Sequence, residues 1–261
     1  MIISIPQCSV DPLGRPTTIK TPGANTSGVP HFNVNQLYWS AMEKKTRYAN
    51  LVAKRKAFKF MDGLTNPSNT LFDKEYLEPW SQWQGNLDAS IVVVGQEFCD
   101  LKTFNKVGGT VEQKPDVFEY PSNRNLVEYF RLLDIELGHP MSPNRGNPVF
   151  FTNAVMGLKD GSMSSNFKNS WLKESRDVFL IPLLEIIQPR VIIAIGTKAT
   201  ATLGKIYGFP VESHSKMVTT SPIHTKSGPL VFPVYHTGGL GLANRRKDLQ
   251  IEDWKNIKKY L

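Results

Sequence analysis

The chain has 261 residues, of which 40% are hydrophobic, and this is enough to bury one large core in a single α/β domain with extensions. Its formal net charge of +8 favours a polyanionic partner. The chain has two cysteines, Cys8 and Cys99, which exclude a disulfide framework and a four-thiolate metal site. No apolar segment has the length of a membrane span. We therefore expect a cytoplasmic protein with no membrane partner.

The first predicted elements are an extended arm and a basic helix. Pro, Gly, Thr and Ser are frequent through residues 11–31, so we place an extended amino-terminal arm at residues 1–33 and the α/β domain at residues 34–261. Apolar residues at helical spacing predict a helix over residues 34–60, which also carries a series of Lys and Arg side chains. These cations form either a solvated helical face or a phosphate-binding face, and both interpretations stay open.

Short apolar runs that stop at polar or glycine-containing clusters predict buried strands. They lie at residues 90–94, 149–153, 191–195 and 231–235. Helical patterns alternate with them at residues 126–137, 167–187, 197–207 and 251–261. The alternation predicts a single α/β domain with a central, mostly parallel four-stranded sheet and helices on both faces. A long loop over residues 97–124 is a candidate lid.

Polar side chains follow three of these strands, and in open α/β sheets the ligand lies beyond the carboxyl ends of the strands. Glu97 and Asp100 follow the first strand, and either carboxylate can accept a proton or stabilise a developing positive charge. Asn153 offers a donor and an acceptor to the edge of a base, and His236 can hydrogen-bond a leaving group. Structural roles stay open, because the acids can be solvated loop residues and Asn153 can cap a turn or helix.

A glycine-rich segment follows His236, and it predicts a tight loop with an exposed apolar tip at Leu240 or Leu242. An apolar tip of this kind can insert into a duplex. Basic side chains that suit phosphate contacts come directly afterwards; they are Arg245, Arg246 and Lys247.

In this order and spacing, the clusters resemble motifs of the uracil-DNA glycosylase superfamily, over about residues 90–247. The segment 95–100, Gly-Gln-Glu-Phe-Cys-Asp, looks like the first motif of that family. The segment 150–155, Phe-Phe-Thr-Asn-Ala-Val, is similar to the strand whose Asn holds the flipped base. The helix and strand from Trp171 to Gly196 resemble those of the iron–sulfur and related branches, and residues 236–240 fall where the family places a His-Pro-Ser-Pro-Leu motif.

The resemblance implies a monofunctional DNA glycosylase that acts as a monomer on double- or single-stranded DNA, without a metal or cofactor. It would rotate a nucleotide out of the stack and hydrolyse the bond between base and sugar, leaving an abasic site. Glu97 or Asp100 would direct the water, and His236 would stabilise the departing base. The implied base-binding residues are Gln96, Phe98, Cys99, Phe118, Tyr120 and Asn153. The implied DNA-binding residues are Leu240, Leu242, Arg245, Arg246 and Lys247.

Departures from the family motifs leave the substrate open. Glu97 stands where the best-known branch has Asp, and Cys99 stands where a bulky tyrosine blocks substituents on carbon 5 of the pyrimidine. The excised base is therefore either uracil or a bulky modified cytosine, such as the glucosylated hydroxymethylcytosine of phage DNA, which would give antiviral defence. Two other classes remain: a catalytically inactive DNA-binding module of the same fold, and a small-molecule α/β enzyme.

Overall fold

The computed structural model describes residues 34–70, 72, 74–106, 120–139, 142–161, 167–226 and 228–261; of residues 34–41 and 106 it describes the backbone alone. The chain divides into two compact units, Met1–Tyr38 and Trp39–Leu261. The predicted arm at residues 1–33 lies outside the described residues and stays a prediction. All side-chain interactions below belong to the unit Trp39–Leu261.

Helices and strands alternate along most of this unit. The described residues form, in chain order, α1 (Val34–Ala57), β1 (Leu64–Thr65), β2 (Ile91–Gly95), α2 (Leu101–Lys106), α3 (Pro121–Leu132), β3 (Gly138–His139), β4 (Ser142–Pro143), β5 (Val149–Asn153), β6 (Leu158–Lys159), α4 (Asn169–Ser175), α5 (Ile181–Ile187), β7 (Val191–Ile195), α6 (Thr197–Tyr207), α7 (His214–Thr219), β8 (Ile223–His224), β9 (Leu230–Val234), α8 (Gly239–Asn244) and α9 (Lys247–Lys258). A π-helical segment, Arg176–Leu180, joins α4 to α5.

The central sheet has five strands within the described residues, in the order β5-β2-β7-β9-β8. The neighbouring pairs among β5, β2, β7 and β9 are parallel, and these are the four strands that the sequence predicts, each within one residue of its expected bounds. The α/β class is therefore confirmed. The prediction of four strands is wrong, because β8 adds an antiparallel edge strand to β9. With two residues, β8 is too short to produce a periodic signal of its own.

Both faces of the sheet are covered, which explains why its strands are continuous apolar runs. Along β2, Val92 and Val94 belong to one core cluster, which also contains apolar side chains of α1, α5 and α6. The alternate residues Ile91 and Val93 belong to a second cluster, which contains side chains of α3 and α9. Because successive side chains of a strand point to opposite faces, the two clusters lie on opposite sides of the sheet, and the prediction of helices on both faces is confirmed.

The helix predictions agree with the structure except at several boundaries. The predicted loop over residues 97–124 contains α2 and the first turn of α3, which begins at Pro121 rather than at residue 126. Proline suits a helix start because the first turn needs no amide donor there. Residues 107–119 of the candidate lid lie outside the described residues, so the lid stays a prediction. Among the described helices, none is both long and apolar enough to cross a membrane.

Candidate active site at the carboxyl edge of the sheet

The parallel strands bring three of the predicted polar residues to one edge of the sheet. Gly95 at the end of β2 lies opposite Asn153 at the end of β5. Glu97 follows β2, and His236 follows β9, which is separated from β2 by β7 alone. Neighbouring strands lie about 4.8 Å apart, so the ends of β9 and β2 are about 10 Å apart across the sheet.

Asn153 is buried, and its amide contacts a carboxyl group from a distant part of the chain. Its Nδ2 donates to Oε2 of Glu78 at 2.6 Å, and 2% of Asn153 and 1% of Glu78 are exposed. Oε1 of Glu78 has no hydrogen-bond partner among the described residues. Burial raises the pKa of Glu78 to about 8, although the amide of Asn153 acts in the opposite direction. The Asn153 side chain therefore hydrogen-bonds another side chain. A residue that only caps a turn or a helix would instead hydrogen-bond the backbone.

Gly95 makes room for the Asn153 amide. A Cβ atom at position 95 would lie 2.3 Å from Oδ1 of Asn153 and 3.0 Å from the Trp80 ring. Trp80 in turn packs on Phe151 of β5, with 4.7 Å between the ring centroids. The absence of a side chain at Gly95 thus lets the amide lie across the end of β2, between this backbone and Glu78.

Glu97 forms a buried ion pair. Its Oε1 lies 3.3 Å from Nζ of Lys159 in β6, and the two side chains are 5% and 2% exposed. Its other oxygen, Oε2, is buried and has no hydrogen-bond partner among the described residues. Because buried polar atoms are normally hydrogen-bonded, the unpartnered oxygen can receive a water or a ligand donor.

Asp100 has a structural role. Its Oδ1 accepts a hydrogen bond from the backbone amide of Thr103 at 2.8 Å, and its Oδ2 accepts one from the Thr103 hydroxyl at 2.7 Å. Burial acts to raise the pKa of Asp100, but these hydrogen bonds hold it below its usual value. Both oxygens are therefore used to cap the start of α2. Of the two predicted acids, Glu97 is the one with an oxygen free for a ligand within the described structure.

His236 presents a donor nitrogen. Its Nδ1 accepts a hydrogen bond from the backbone amide of Gly238 at 2.9 Å, so the neutral ring carries its proton on Nε2. The residue is exposed, yet the protein around the ring lowers its pKa by reducing its solvation. The next residue, Thr237, is fixed to α3, because Nδ2 of Asn125 donates to its carbonyl at 2.7 Å. The lowered pKa therefore favours a neutral imidazole, and its Nε2–H has no hydrogen-bond partner among the described residues.

The segment after His236 is a helix, which corrects the prediction of a tight loop. Residues 239–244 form α8, and a Cβ atom at Gly241 would lie 1.7 Å from the carbonyl oxygen of His236. Because Gly241 has no side chain, the helix can pack directly on the backbone of His236. Leu240 is 80% exposed, whereas Leu242 is partly buried, so Leu240 is the apolar tip.

The three predicted phosphate ligands all contact carboxylates. Arg245 donates to both oxygens of Asp253, at 2.5 and 2.7 Å, and its side chain is largely buried. Arg246 and Lys247 are more exposed and each pairs with a surface carboxylate. Exposed ion pairs are weak because solvent screens them, so a phosphate can displace those two, whereas Arg245 is held by a partly buried bidentate pair.

The other predicted base-binding residues differ in their surroundings. Cys99 is buried and packs in an apolar cluster with Phe72, Phe104 and Leu158. Burial raises the pKa of its thiol. The Cys99 side chain therefore fills part of the core, and the structure gives no support to the expectation that it leaves space beside a base. The positions of the others are as follows: Gln96 is partly buried, Phe98 packs edge-on against Phe104, Tyr120 is exposed before α3, and Phe118 lies outside the described residues.

Glu78 is the site residue that sequence reasoning missed. It belongs to the irregular segment before β2 and has Leu77, Pro79 and Trp80 as neighbours in the sequence. The sequence signal was a single acid among apolar and aromatic residues. Such neighbours indicate burial, and a buried acid is rarely found without a polar partner. Among the described residues, no three His, Cys, Asp or Glu side chains group in a way that could hold a metal ion.

No model of a known protein family matches this chain, and no curated protein matches it either. A function for this chain is therefore inferred from the geometry of the site and from the motifs in the sequence.

Proposed function

We propose that this chain is a DNA glycosylase that holds an extruded pyrimidine base at the carboxyl edge of its sheet. The observation that supports this most is the strand order β5-β2-β7-β9. It brings a buried amide, a buried carboxylate with an unpartnered oxygen and a neutral imidazole donor to the ends of three parallel strands of one sheet. These three groups match the requirements of base recognition, water activation and leaving-group stabilisation.

Each group has one role in the proposed reaction. Asn153 hydrogen-bonds the Watson–Crick edge of the base. Oε2 of Glu97 orients a water and stabilises the positive charge that develops on the sugar. The water oxygen bonds to the sugar carbon as the bond to the base breaks, the base leaves with the bonding electrons, and a proton of the water passes to the Glu97 carboxylate. Nε2–H of His236 hydrogen-bonds the resulting anion, which the neutral ring can do without an additional proton from solvent.

Contacts with DNA follow from the surface next to this edge. Leu240 is the exposed apolar side chain that would fill the gap in the stack, and Arg246 and Lys247 lie six and seven residues beyond it in the sequence. The net charge of +8 adds long-range attraction to the phosphates. Binding should therefore weaken steeply as the salt concentration rises.

The test is an excision assay on matched DNA strands that carry uracil, cytosine, hydroxymethylcytosine or its glucosylated form, followed by alkaline cleavage at abasic sites. We expect the wild-type protein to release one of these bases. Release of uracil alone would rule out the modified-cytosine substrate, and release of a modified cytosine alone would rule out uracil. DNA binding without abasic product would favour a non-catalytic module, and the absence of DNA binding at moderate salt would favour a small-molecule enzyme.

Matched variants then assign the carboxylate. Glu97→Gln and His236→Ala should each lower the excision rate about 100- to 10,000-fold and leave DNA binding largely intact. Asp100→Asn is the control, because it makes the same chemical change in a buried acid that caps α2. A loss of excision in the Asp100 variant together with full activity in the Glu97 variant would reverse the assignment.

A further inference from the structure

The contact between Glu78 and Asn153 has a consequence for base selection. A side-chain amide has one donor end and one acceptor end, and rotation by half a turn exchanges them. Uracil presents an acceptor at position 4 and a donor at position 3, whereas cytosine presents a donor and then an acceptor. An amide that reads one base in one orientation therefore reads the other base in the reversed orientation.

We propose that Glu78 is a positioning residue that fixes the orientation of the Asn153 amide and thereby selects between a uracil-type and a cytosine-type base. This inference rests on the proposed function. Nδ2 of Asn153 donates to Oε2 of Glu78 at 2.6 Å. The amide is held on its other side, since Oδ1 occupies the space that a Cβ at Gly95 would take. One donor hydrogen and the carbonyl oxygen remain for the base.

The protonation state of Glu78 decides how strictly the amide is held. An ionised carboxylate only accepts hydrogen bonds, so the amide nitrogen must face it. A neutral carboxyl group can also donate, and its hydroxyl could bond Oδ1 of a reversed amide. Oε1 has no hydrogen-bond partner among the described residues, and Oε2 accepts its hydrogen bond from the Asn153 amide itself, so the exchange reverses that one contact.

Among the ionisable groups around the Asn153 amide, Glu78 is the one whose pKa lies near neutral pH. Arg55 and Tyr48 of α1 and Cys99 after β2 are the charged or titratable groups that act on it. Burial raises the pKa of Glu78 to about 8, and this outweighs the hydrogen bonds from Asn153 and Thr152 and the charge of Arg55, which lower it. Burial also raises the pKa of Tyr48 and of Cys99, so both stay neutral across this range. Discrimination between bases should therefore increase as the pH rises through about 8.

The experiment compares the wild-type protein with Glu78→Gln, which has nearly the same volume but can donate as well as accept. The control is Glu75→Gln, the same change at an exposed acid three residues earlier. One measurement is the ratio of kcat/KM for uracil and cytosine-type substrates at about pH 6 and about pH 9. In the wild type and in the control, we expect this ratio to change about tenfold or more between the two pH values. In the Glu78 variant, the ratio should stay close to one at both pH values, because the amide can reverse.

A second measurement follows the Asn153 side-chain amide by NMR, which does not depend on turnover. Its signals should shift with pH in the wild type and lose this titration in the Glu78 variant. If these signals change neither with pH nor on substitution of Glu78, the inference is overturned whether or not the protein excises a base. An amide that responds while the kcat/KM ratio stays constant would overturn it as well. If the wild type releases no base at all, the proposed function fails and base selection fails with it, and the NMR titration shows separately whether Glu78 holds the amide.

Discussion

The buried carboxyl group of Glu78 should make the stability of the protein depend on pH in a direction opposite to that of most acids. Its folded-state pKa of about 8 exceeds the ordinary value of 4.5, so the folded protein keeps a proton that the unfolded chain has already released. The stabilisation is complete below pH 4.5 and is lost as the pH rises towards 8. At about 1.36 kcal/mol per pKa unit, the whole window corresponds to about 5 kcal/mol.

Urea unfolding at a series of pH values from about 5 to 9 measures this effect, with the free energy of unfolding as the readout. Glu78→Gln removes the titration and keeps an oxygen that can accept the Asn153 amide, so its stability should exceed that of the wild type by several kcal/mol at pH 9 and should approach it at pH 5. Glu75→Gln should follow the wild type, because Glu75 is exposed.

Histidines also titrate in this window, but they do not affect the comparison. Burial lowers the pKa of His214 and His236, so their contribution is lost as the pH falls below the ordinary histidine value, and it is common to all three proteins. The difference between wild type and the Glu78 variant isolates one carboxyl group. Parallel stability curves for the two proteins would refute the reasoning, since they would mean that Glu78 titrates equally in the folded and unfolded states.

Three other substitutions test neighbouring parts of the site. Gly95→Ala should reduce excision about 100-fold and lower the melting temperature, because the new methyl group displaces the buried Asn153 amide from Glu78; wild-type kcat/KM in this variant would contradict the close packing. Leu240→Ala should reduce excision from duplex DNA but not from single strands, at unchanged stability, since this side chain is 80% exposed; equal losses on both substrates would argue against a wedge. Lys159→Met should destabilise the protein by about 3–5 kcal/mol, because it leaves the Glu97 carboxylate buried without its partner, whereas adding Glu97→Leu should restore most of the stability and abolish excision.

The four parallel strands were predictable because their signal is local. β5 and β7 match their predicted bounds, and β2 and β9 differ by one residue, since continuous β-branched runs have few alternatives to a sheet covered on both faces. The sequence did not predict the elements that depend on tertiary contacts. β8 is defined by its pairing with β9, and α8 depends on the close approach of Gly241 to the backbone of His236.

The candidate site divides in the same way. The sequence identified Asn153 and His236 because each follows an apolar run directly, and strand topology then brings them to one edge. It could not decide between Glu97 and Asp100, because that choice depends on partners. Thr103 takes both oxygens of Asp100, while one oxygen of Glu97 remains open within the described residues. Thr103 follows Asp100 by three residues, which is the spacing of a helix cap and was a readable signal.

Burial of the polar groups around the ends of β2 and β5 lowers the free energy of unfolding. Glu78, Asp100 and Lys159 are almost fully buried, and so is the side chain of Glu97. Replacing a buried ion pair by apolar side chains of similar volume is often neutral or stabilising, so stability alone does not account for Glu97 and Lys159. The unpartnered oxygens of Glu78 and Glu97 add to the cost, since neither has the hydrogen bonds that its burial requires among the described residues. Both oxygens lie beside the strand ends where ligands of open α/β sheets bind, and a water or a base edge at this position would satisfy groups that the protein leaves unsatisfied.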